Sequence, residues 1–81
     1  MILVSWNSRD LGSSLKSNAA QDIISQEQPD IFLIQETKMS NQDFQKFIKR
    51  HKSFEGIAID SLGASGGIGT LWKKRKWDLI S

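Results

Sequence analysis

Residues 30–38, with the sequence DIFLIQETK, decide the fold. Asp30 precedes four consecutive apolar residues, 31–34, and a polar stretch that begins at Gln35 follows them. A short, continuous apolar run between polar residues is typical of a strand that is buried on both faces of a sheet. The stretch therefore predicts a buried strand that ends at Glu36.

A similar run, residues 2–6, stands near the N-terminus and ends at Asn7. Between the two runs, Ser13 or Ser14 can cap a helix, and Pro29 stops it. Apolar residues recur there at helical spacing, namely Leu15, Ala19, Ala20, Ile23 and Ile24. Strand, helix and strand in this order predict a βαβ unit with two parallel strands and a right-handed crossover.

The second half of the chain predicts one more helix and a pair of strands. Ser40 begins the helix, at roughly residues 40–51, by a capping-box-like start. Residues 54–59 and 68–72 read as strands, and the turn between them, 61–67, is short enough to favour an antiparallel hairpin. Residues 77–80 begin another alternating segment. The fold class is therefore α/β, with the order βαβ-α-β-β.

Composition limits the size of the core and the class of protein. The chain has 81 residues, 38% of them hydrophobic, and no cysteine. It is therefore expected to form one thin-cored unit without disulfides or thiolate zinc sites. No apolar run approaches the roughly 20 residues of a membrane span, and the N-terminus does not resemble a signal peptide. We expect a nuclear or cytoplasmic protein, not a secreted or membrane-bound one.

Charge is distributed unevenly along the chain. Residues 1–45 carry three Lys and Arg against six Asp and Glu, whereas residues 46–81 carry eight against three. A basic second half could face a polyanion, and the alternative is that these cations only solvate a helix face and a strand end. The basic run 73–76 resembles a short localisation or nucleic-acid patch, and the favoured alternative is that it protects a strand edge or is simply solvated.

Ligands gather at the carboxyl ends of parallel strands, and Asn7 and Glu36 end the two predicted strands. Glu36 offers the oxygen ligand that Mg²⁺ prefers, and Asn7 could contact a phosphate or the metal. The alternatives are a solvated carboxylate and a turn-forming amide. Arg9 and Lys38 follow the strand ends by two residues each and could reach a phosphate backbone. His51, the single histidine, is expected to pack against its helix and not to act as a base.

Three motifs occur in the order of the endonuclease/exonuclease/phosphatase family. Residues 5–11, SWNSRDL, resemble its W-N-x-R-G-L motif, and residues 31–38, IFLIQETK, resemble L-x-Q-E-T-K. Residues 65–69, SGGIG, resemble the S-G-G-V-x strand. The three motifs resemble above all those of the endonuclease domains of plant non-LTR retrotransposon proteins, which in turn resemble apurinic/apyrimidinic endonucleases. The family domain is well over twice as long as this chain.

The resemblance implies that residues 1–81 are the N-terminal portion of a four-layer α/β sandwich, incomplete here. It implies a divalent metal, Mg²⁺ or Mn²⁺, and DNA as the partner of the complete domain. Carried over by motif, Glu36 would be a metal ligand and a catalytic residue, and Asn7 a neighbouring one turned toward metal and phosphate. Gln35 would help to position Glu36 without itself binding the metal.

Two departures from the family pattern bear on activity. Asp10 stands where the pattern has Gly, which would be unfavourable if the turn needs a positive φ. The later motifs, an Asp/Asn pair and a Ser-Asp-His segment, are not in these 81 residues. We therefore expect a truncated Mg²⁺-dependent endonuclease of retrotransposon type, inactive as this chain, in which Trp6, Phe32 or Trp72 is unusually exposed.

Three alternatives remain open at this point. A small-molecule or lipid phosphatase of the same family would share the first two motifs. A non-catalytic remnant would use the basic half to bind nucleic acid. The product of a degraded pseudogene would have no function.

Overall fold

The predicted order of elements is confirmed by a computed structural model that describes residues 1–59 and 66–74. Its elements are β1 (Leu3–Asn7), α1 (Ser14–Glu27), β2 (Ile31–Gln35), α2 (Asn41–Ile48), β3 (Phe54–Ile59) and β4 (Ile68–Lys73). Most of the predicted turn 61–67 and the segment 77–80 lie outside the described residues. No described helix is long and apolar enough to cross a membrane.

The strands form one four-stranded mixed sheet in the order β1-β2-β4-β3. β1 and β2 are parallel, with Leu3 opposite Ile31 and Asn7 opposite Gln35, as the βαβ prediction requires. β4 is antiparallel to both of its neighbours, β2 and β3, which confirms the predicted pairing of the last two strands. Because β4 lies between β2 and β3, its basic end is not at a sheet edge, and edge protection does not explain Lys73.

One face of the sheet carries the core. Alternate residues of β2, β3 and β4 point to this face, where the apolar side of α2 covers them. The buried apolar residues are Leu11, Ala20, Phe32, Ile34, Phe44, Phe47, Ile48, Phe54, Ala58 and Leu71. Unusual exposure of Trp6, Phe32 or Trp72 was expected, but Phe32 is fully buried beneath the helices and both tryptophans are half-buried. Trp6 is half-buried and stacks on Phe32, with ring centroids 6.2 Å apart.

The other face of the sheet is apolar and largely open within the described residues. Leu3, Ile57, Ile59 and Ile68 are 59%, 49%, 68% and 55% exposed. The prediction that the first strand is buried on both faces is therefore wrong. β1 is an edge strand whose outward residues lie on this open face, and its burial alternates between exposed and half-buried positions.

Both helices begin at predicted serine caps. The Ser13 hydroxyl accepts a hydrogen bond from the Lys16 N–H at 3.2 Å, and that of Ser40 accepts one from the Asp43 N–H, also at 3.2 Å. α1 ends at Glu27 and is capped by Gln28, which has a left-handed conformation (φ 47°) and precedes Pro29. The two serine caps satisfy N–H groups of the first helical turn, which have no carbonyl partner within the helix.

α2 ends at Ile48, three residues before the predicted end at 51. The Arg50 and His51 N–H groups donate to carbonyls three residues back, at 3.2 and 2.8 Å. Such bonds belong to a tighter turn than the α-helix. Because the helical periodicity of the sequence continues through this turn, the sequence predicts a helix that extends beyond the end of α2.

Candidate active site

Asn7 and Glu36 lie together where the parallel strands end. The Asn7 side-chain nitrogen Nδ2 donates a hydrogen bond to the carboxylate oxygen Oε2 of Glu36. The Asn7 oxygen Oδ1 accepts the Arg9 N–H at 3.1 Å. Both polar atoms of the Asn7 amide are therefore engaged, one by the carboxylate and one by the loop that follows β1. The two residues predicted from the strand ends are in direct contact.

The loop after β1 holds the backbone of Glu36 from one side. The Ser8 N–H donates to the Gln35 carbonyl at 3.0 Å, and the Ser8 Oγ lies 3.1 and 3.2 Å from the Gln35 and Glu36 carbonyl oxygens. Further along the loop, the Leu11 N–H donates to the Thr37 carbonyl at 3.1 Å. Ser8 is fully buried, so these bonds are shielded from water.

Two glycines hold the same backbone from the other side. The Lys38 N–H donates to the Gly66 carbonyl at 2.6 Å, and the Thr37 N–H to that of Gly67 at 3.4 Å. Gly66 has φ +79°, and a Cβ there would lie 3.1 Å from Lys38 Cγ and 3.4 Å from Glu36 Cα. The site thus needs glycine at 66 both for its backbone angle and for this close approach.

Non-glycine residues in left-handed conformations surround the site. Arg9, Glu36 and Lys38 have φ values of 61°, 53° and 51°. Such conformations cost about 1–2 kcal/mol each for residues with a Cβ and cluster at functional sites. Asp10 has φ 159°, at the border of extended backbone, so the left-handed residue of this turn is Arg9 and not Asp10.

Arg9 and Lys38, the predicted phosphate contacts, are both exposed at this end of the sheet. Neither side chain forms an ion pair with another described residue. Their backbones are fixed by the Asn7 side chain and by Gly66, respectively. The two cations are thus anchored beside the Asn7–Glu36 pair with their charged groups accessible to an anion.

The donor set at the site, one carboxylate beside one amide, can accommodate Mg²⁺. The described residues contain no group of three His, Asp or Glu side chains that could hold a metal. Mg²⁺ does not require such a group, because it keeps several waters and is bound through one or two carboxylates and substrate phosphates. Glu36 can supply that carboxylate. Asn7, whose nitrogen faces the carboxylate, orients it.

Two buried hydroxyl residues of the site were not identified from the sequence. Ser8 occupies the variable position of the W-N-x-R-G-L motif, so the motif gave no signal for it. Thr37 is a fixed position of L-x-Q-E-T-K, which was an available signal. Its side chain is fully buried, and its Oγ1 has no hydrogen-bond partner among the described residues.

His51 belongs to the opposite end of the sheet. Its carbonyl accepts the N–H of Phe54, the first residue of β3, and its ring lies 5.1 Å from that of Phe47. Burial lowers the pKa of His51 below 6.5, and the charge of the neighbouring Arg50 lowers it further. The structure confirms the packing role that was predicted for this residue.

Comparison of the sequence with protein-family models and with curated proteins gives no match. Solved structures do match the fold. A 3′ phosphatase, NExo, from Neisseria, in a structure with product DNA hairpin, is similar with a TM-score of 0.70 and 18% identity over 89% of this chain. The AP endonuclease LMAP from Leishmania major is similar with a TM-score of 0.63 and 23% identity over 88%.

These likenesses show the fold: the described residues form a small mixed α/β unit that is similar to part of each of the two solved chains. The chain spans 27% and 23% of the two solved chains, or about a quarter of each.

Proposed function

We propose that this chain is the N-terminal part of a Mg²⁺-dependent phosphodiesterase that acts on DNA, of the retrotransposon endonuclease type. The observation that carries the proposal is the Asn7–Glu36 contact at the carboxyl ends of the two parallel strands. The motifs around both residues and the fold shared with a DNA phosphatase and an AP endonuclease support it.

Each residue of the site has a distinct task in this proposal. Glu36 would hold the metal ion, which would supply Lewis-acid polarisation of the scissile phosphate. Asn7 fixes the orientation of the Glu36 carboxylate, and the loop after β1 and Gly66 fix its backbone. Arg9 and Lys38 attract the phosphate backbone of the substrate.

General acid–base steps contribute about 10²–10⁴-fold each to such reactions. Within the described residues, no cluster of three His, Asp or Glu side chains surrounds Glu36 to perform them. We therefore expect the 81-residue chain to bind a divalent metal weakly and to cleave DNA slowly or not at all. Nicking of supercoiled plasmid by this chain, abolished in Glu36→Ala, would contradict the expected inactivity.

Metal binding tests the assignment of Glu36 without requiring activity. Electron paramagnetic resonance of Mn²⁺ titrated with the protein should report bound metal, and Glu36→Gln should remove it. The matched control is Glu55→Gln, which loses the same charge at an exposed position of β3 and should bind Mn²⁺ unchanged. Equal binding by the wild type and Glu36→Gln would refute the assignment.

A further inference from the structure

The open face of the sheet, on the side away from the helices, is a grid of twelve residues. The strand register places them in three rows, with one residue from each of the four strands in every row. In the first row Leu3 lies beside Ile31, Ile31 beside Trp72, and Trp72 beside Glu55. Side chains of one row are cross-strand neighbours, so the face is a continuous surface and not a set of separate residues.

Most of this face is apolar. Seven of its twelve residues are apolar, and only Glu55 is charged. Three of the polar residues, Ser5, Asn7 and Gln35, share one corner of the grid, so the apolar residues form a single patch. The four most exposed apolar members of the patch are 49–68% exposed. A contiguous apolar patch of this kind marks an interaction site.

The open face is large enough for a weak homodimer. Four adjacent strands of five or six residues span about 19 Å across the sheet and about 17–20 Å along it. The face therefore covers about 350 Å² in projection, and the side chains that stand on it make the accessible area larger. Two such faces in contact bury on the order of 1,000 Å² in total, which is at the lower limit for a specific interface.

The charge of the face distinguishes between kinds of partner. No lysine or arginine is among its twelve residues, whereas nucleic acids and anionic membranes bind through cations. The partner that fits is an apolar sheet face of equal size, which a second copy of the chain supplies. Glu55 lies at a corner of the grid, so an aligned two-fold packing does not set the two Glu55 carboxylates opposite each other.

α2 blocks a different route to association, the addition of a strand to the edge of β3. The Ala58 N–H donates to the Asn41 Oδ1 at 3.0 Å, and the Gly56 carbonyl accepts a hydrogen bond from the Gln45 Nε2 at 2.9 Å. The same Gln45 nitrogen donates to the Asn41 Oδ1 at 3.1 Å. An added strand would need these backbone groups of β3, so the two side chains of α2 protect this edge. The face, in contrast, has no such cover among the described residues.

We propose that the 81-residue chain forms a homodimer in which the open faces of two copies pack against each other. The two sheets lie about 10 Å apart with their strands roughly aligned, as in a β-sandwich. Because the same face serves in both copies, the contact is isologous and the assembly closes at two copies. The buried area is small, so the dissociation constant is on the order of 10–100 µM, and the dilute protein is a monomer with an accessible face.

Sedimentation velocity of the chain between about 2 and 500 µM tests the proposal and should show a monomer–dimer transition. Ile57→Glu places a charge in the patch, at a residue that is 49% exposed, and should weaken dimerisation at least about tenfold. The matched control, Leu15→Glu, also replaces an exposed aliphatic residue by glutamate, but on α1, and should change dimerisation less than about twofold.

Circular dichroism checks that both variants are folded. If Ile57→Glu unfolds, Ile57→Thr takes its place, because threonine is also β-branched, and should weaken dimerisation about threefold. A monomer at every concentration, assembly beyond two copies, or a dimer that the substitution at Ile57 leaves intact, as pairing at the β1 edge would give, overturns the proposal.

Cross-linking locates the contact independently. The chain has no cysteine, so an introduced thiol reports only on its own position. Thr70 lies in the middle row of the grid on the central strand β4, and a short bis-maleimide should link two copies of Thr70→Cys at a concentration above the dissociation constant. Asn18→Cys, at an exposed position of α1, should stay a monomer under the same conditions. Equal linking of the two variants would mean that the reagent captures random encounters, and the face-to-face contact would be refuted.

Discussion

Ser8 joins the end of β1 to the end of β2 through one buried hydroxyl. Its Oγ is within hydrogen-bond distance of the Gln35 and Glu36 carbonyls, and the residue is fully buried. Ser8→Ala leaves these carbonyls without that donor, so we expect a loss of about 1–3 kcal/mol in the free energy of unfolding. Urea denaturation followed by circular dichroism measures it.

Ser25→Ala is the control for this substitution, because Ser25 is exposed on α1 and alanine favours the helix. Its free energy of unfolding should be unchanged or slightly raised. If the two alanine variants are equally stable, the Ser8 hydroxyl contributes nothing measurable to the site.

Sequence patterns identified the residues at the ends of the strands but not those that enclose them. Asn7 and Glu36 each end an apolar run, and the carboxyl ends of parallel strands always meet at one edge of the sheet. Ser8 and Gly66 act through contacts with residues about 30 positions away in the chain. No local pattern reports such contacts, so their roles emerged only from the structure.

His51 should make stability depend on pH in a defined direction. Its pKa in the folded chain lies below 6.5, mainly because of burial, so the unfolded chain binds more protons between the two pKa values. The contribution of His51 to stability is therefore complete above pH 6.5 and is lost as the pH falls through the folded pKa.

The melting temperature should fall more between pH 7.5 and 5.0 in the wild type than in His51→Gln. The substitution changes no other ionisable group, so the difference isolates His51. An identical fall in both would contradict the assignment of this dependence to His51.

At the scale of elements, α2 docks on the sheet because one position of β4 has no side chain. A Cβ at Gly69 would lie 2.5 Å from two ring carbons of Phe44, which is fully buried. Gly69→Ala must displace the ring, so we expect the free energy of unfolding to fall by about 1–3 kcal/mol. Thr70→Ala, at the next residue and on the opposite face, should cost about 0.5 kcal/mol or less.

A double-mutant cycle with Phe44→Leu measures the coupling between these residues. Gly69→Ala should cost less in the Phe44→Leu background, where the ring is gone. If the losses in the free energy of unfolding are additive, the Phe44 ring does not restrict which residue fits at position 69.

Order and pairing of the elements followed from the sequence, but the burial of β1 did not. Hydrophobic periodicity records how apolar a strand is, and it contains no information on which layers cover it. Residues 2–6 are as apolar as a strand with two covered faces, yet β1 lies at the sheet edge with Leu3 59% exposed. Edge protection, one of the two favoured explanations of the basic run, fails at Lys73 for a related reason: the central place of β4 results from pairing with β2, which is distant in sequence.

At the scale of the whole molecule, the two ends of the sheet carry different functional residues. The Asn7–Glu36 pair, Arg9 and Lys38 lie where β1 and β2 end, and His51 lies beside the start of β3 at the other end. Exposed charges more than about 10 Å apart are screened from one another at 0.1 M salt. The charges at one end should therefore have little effect on metal binding at the other.

The two faces of the sheet differ as strongly as its ends. The face beneath the helices holds Phe32, which is 0% exposed, and Phe32→Ala should lower the free energy of unfolding by about 3–5 kcal/mol.

The opposite face exposes Ile57 and Ile59, and contiguous exposed apolar surface binds hydrophobic dyes and promotes association. Replacing both by threonine should lower the fluorescence of bound anilinonaphthalene sulfonate by about half, with little change in the free energy of unfolding. The control, Asn18→Thr with Gln26→Thr, makes two exposed substitutions on α1 and should leave dye binding unchanged. Dye binding that persists in the Ile57/Ile59 variant would mean that the dye reports some other surface, and the open face would then not be the dominant exposed apolar region of the protein.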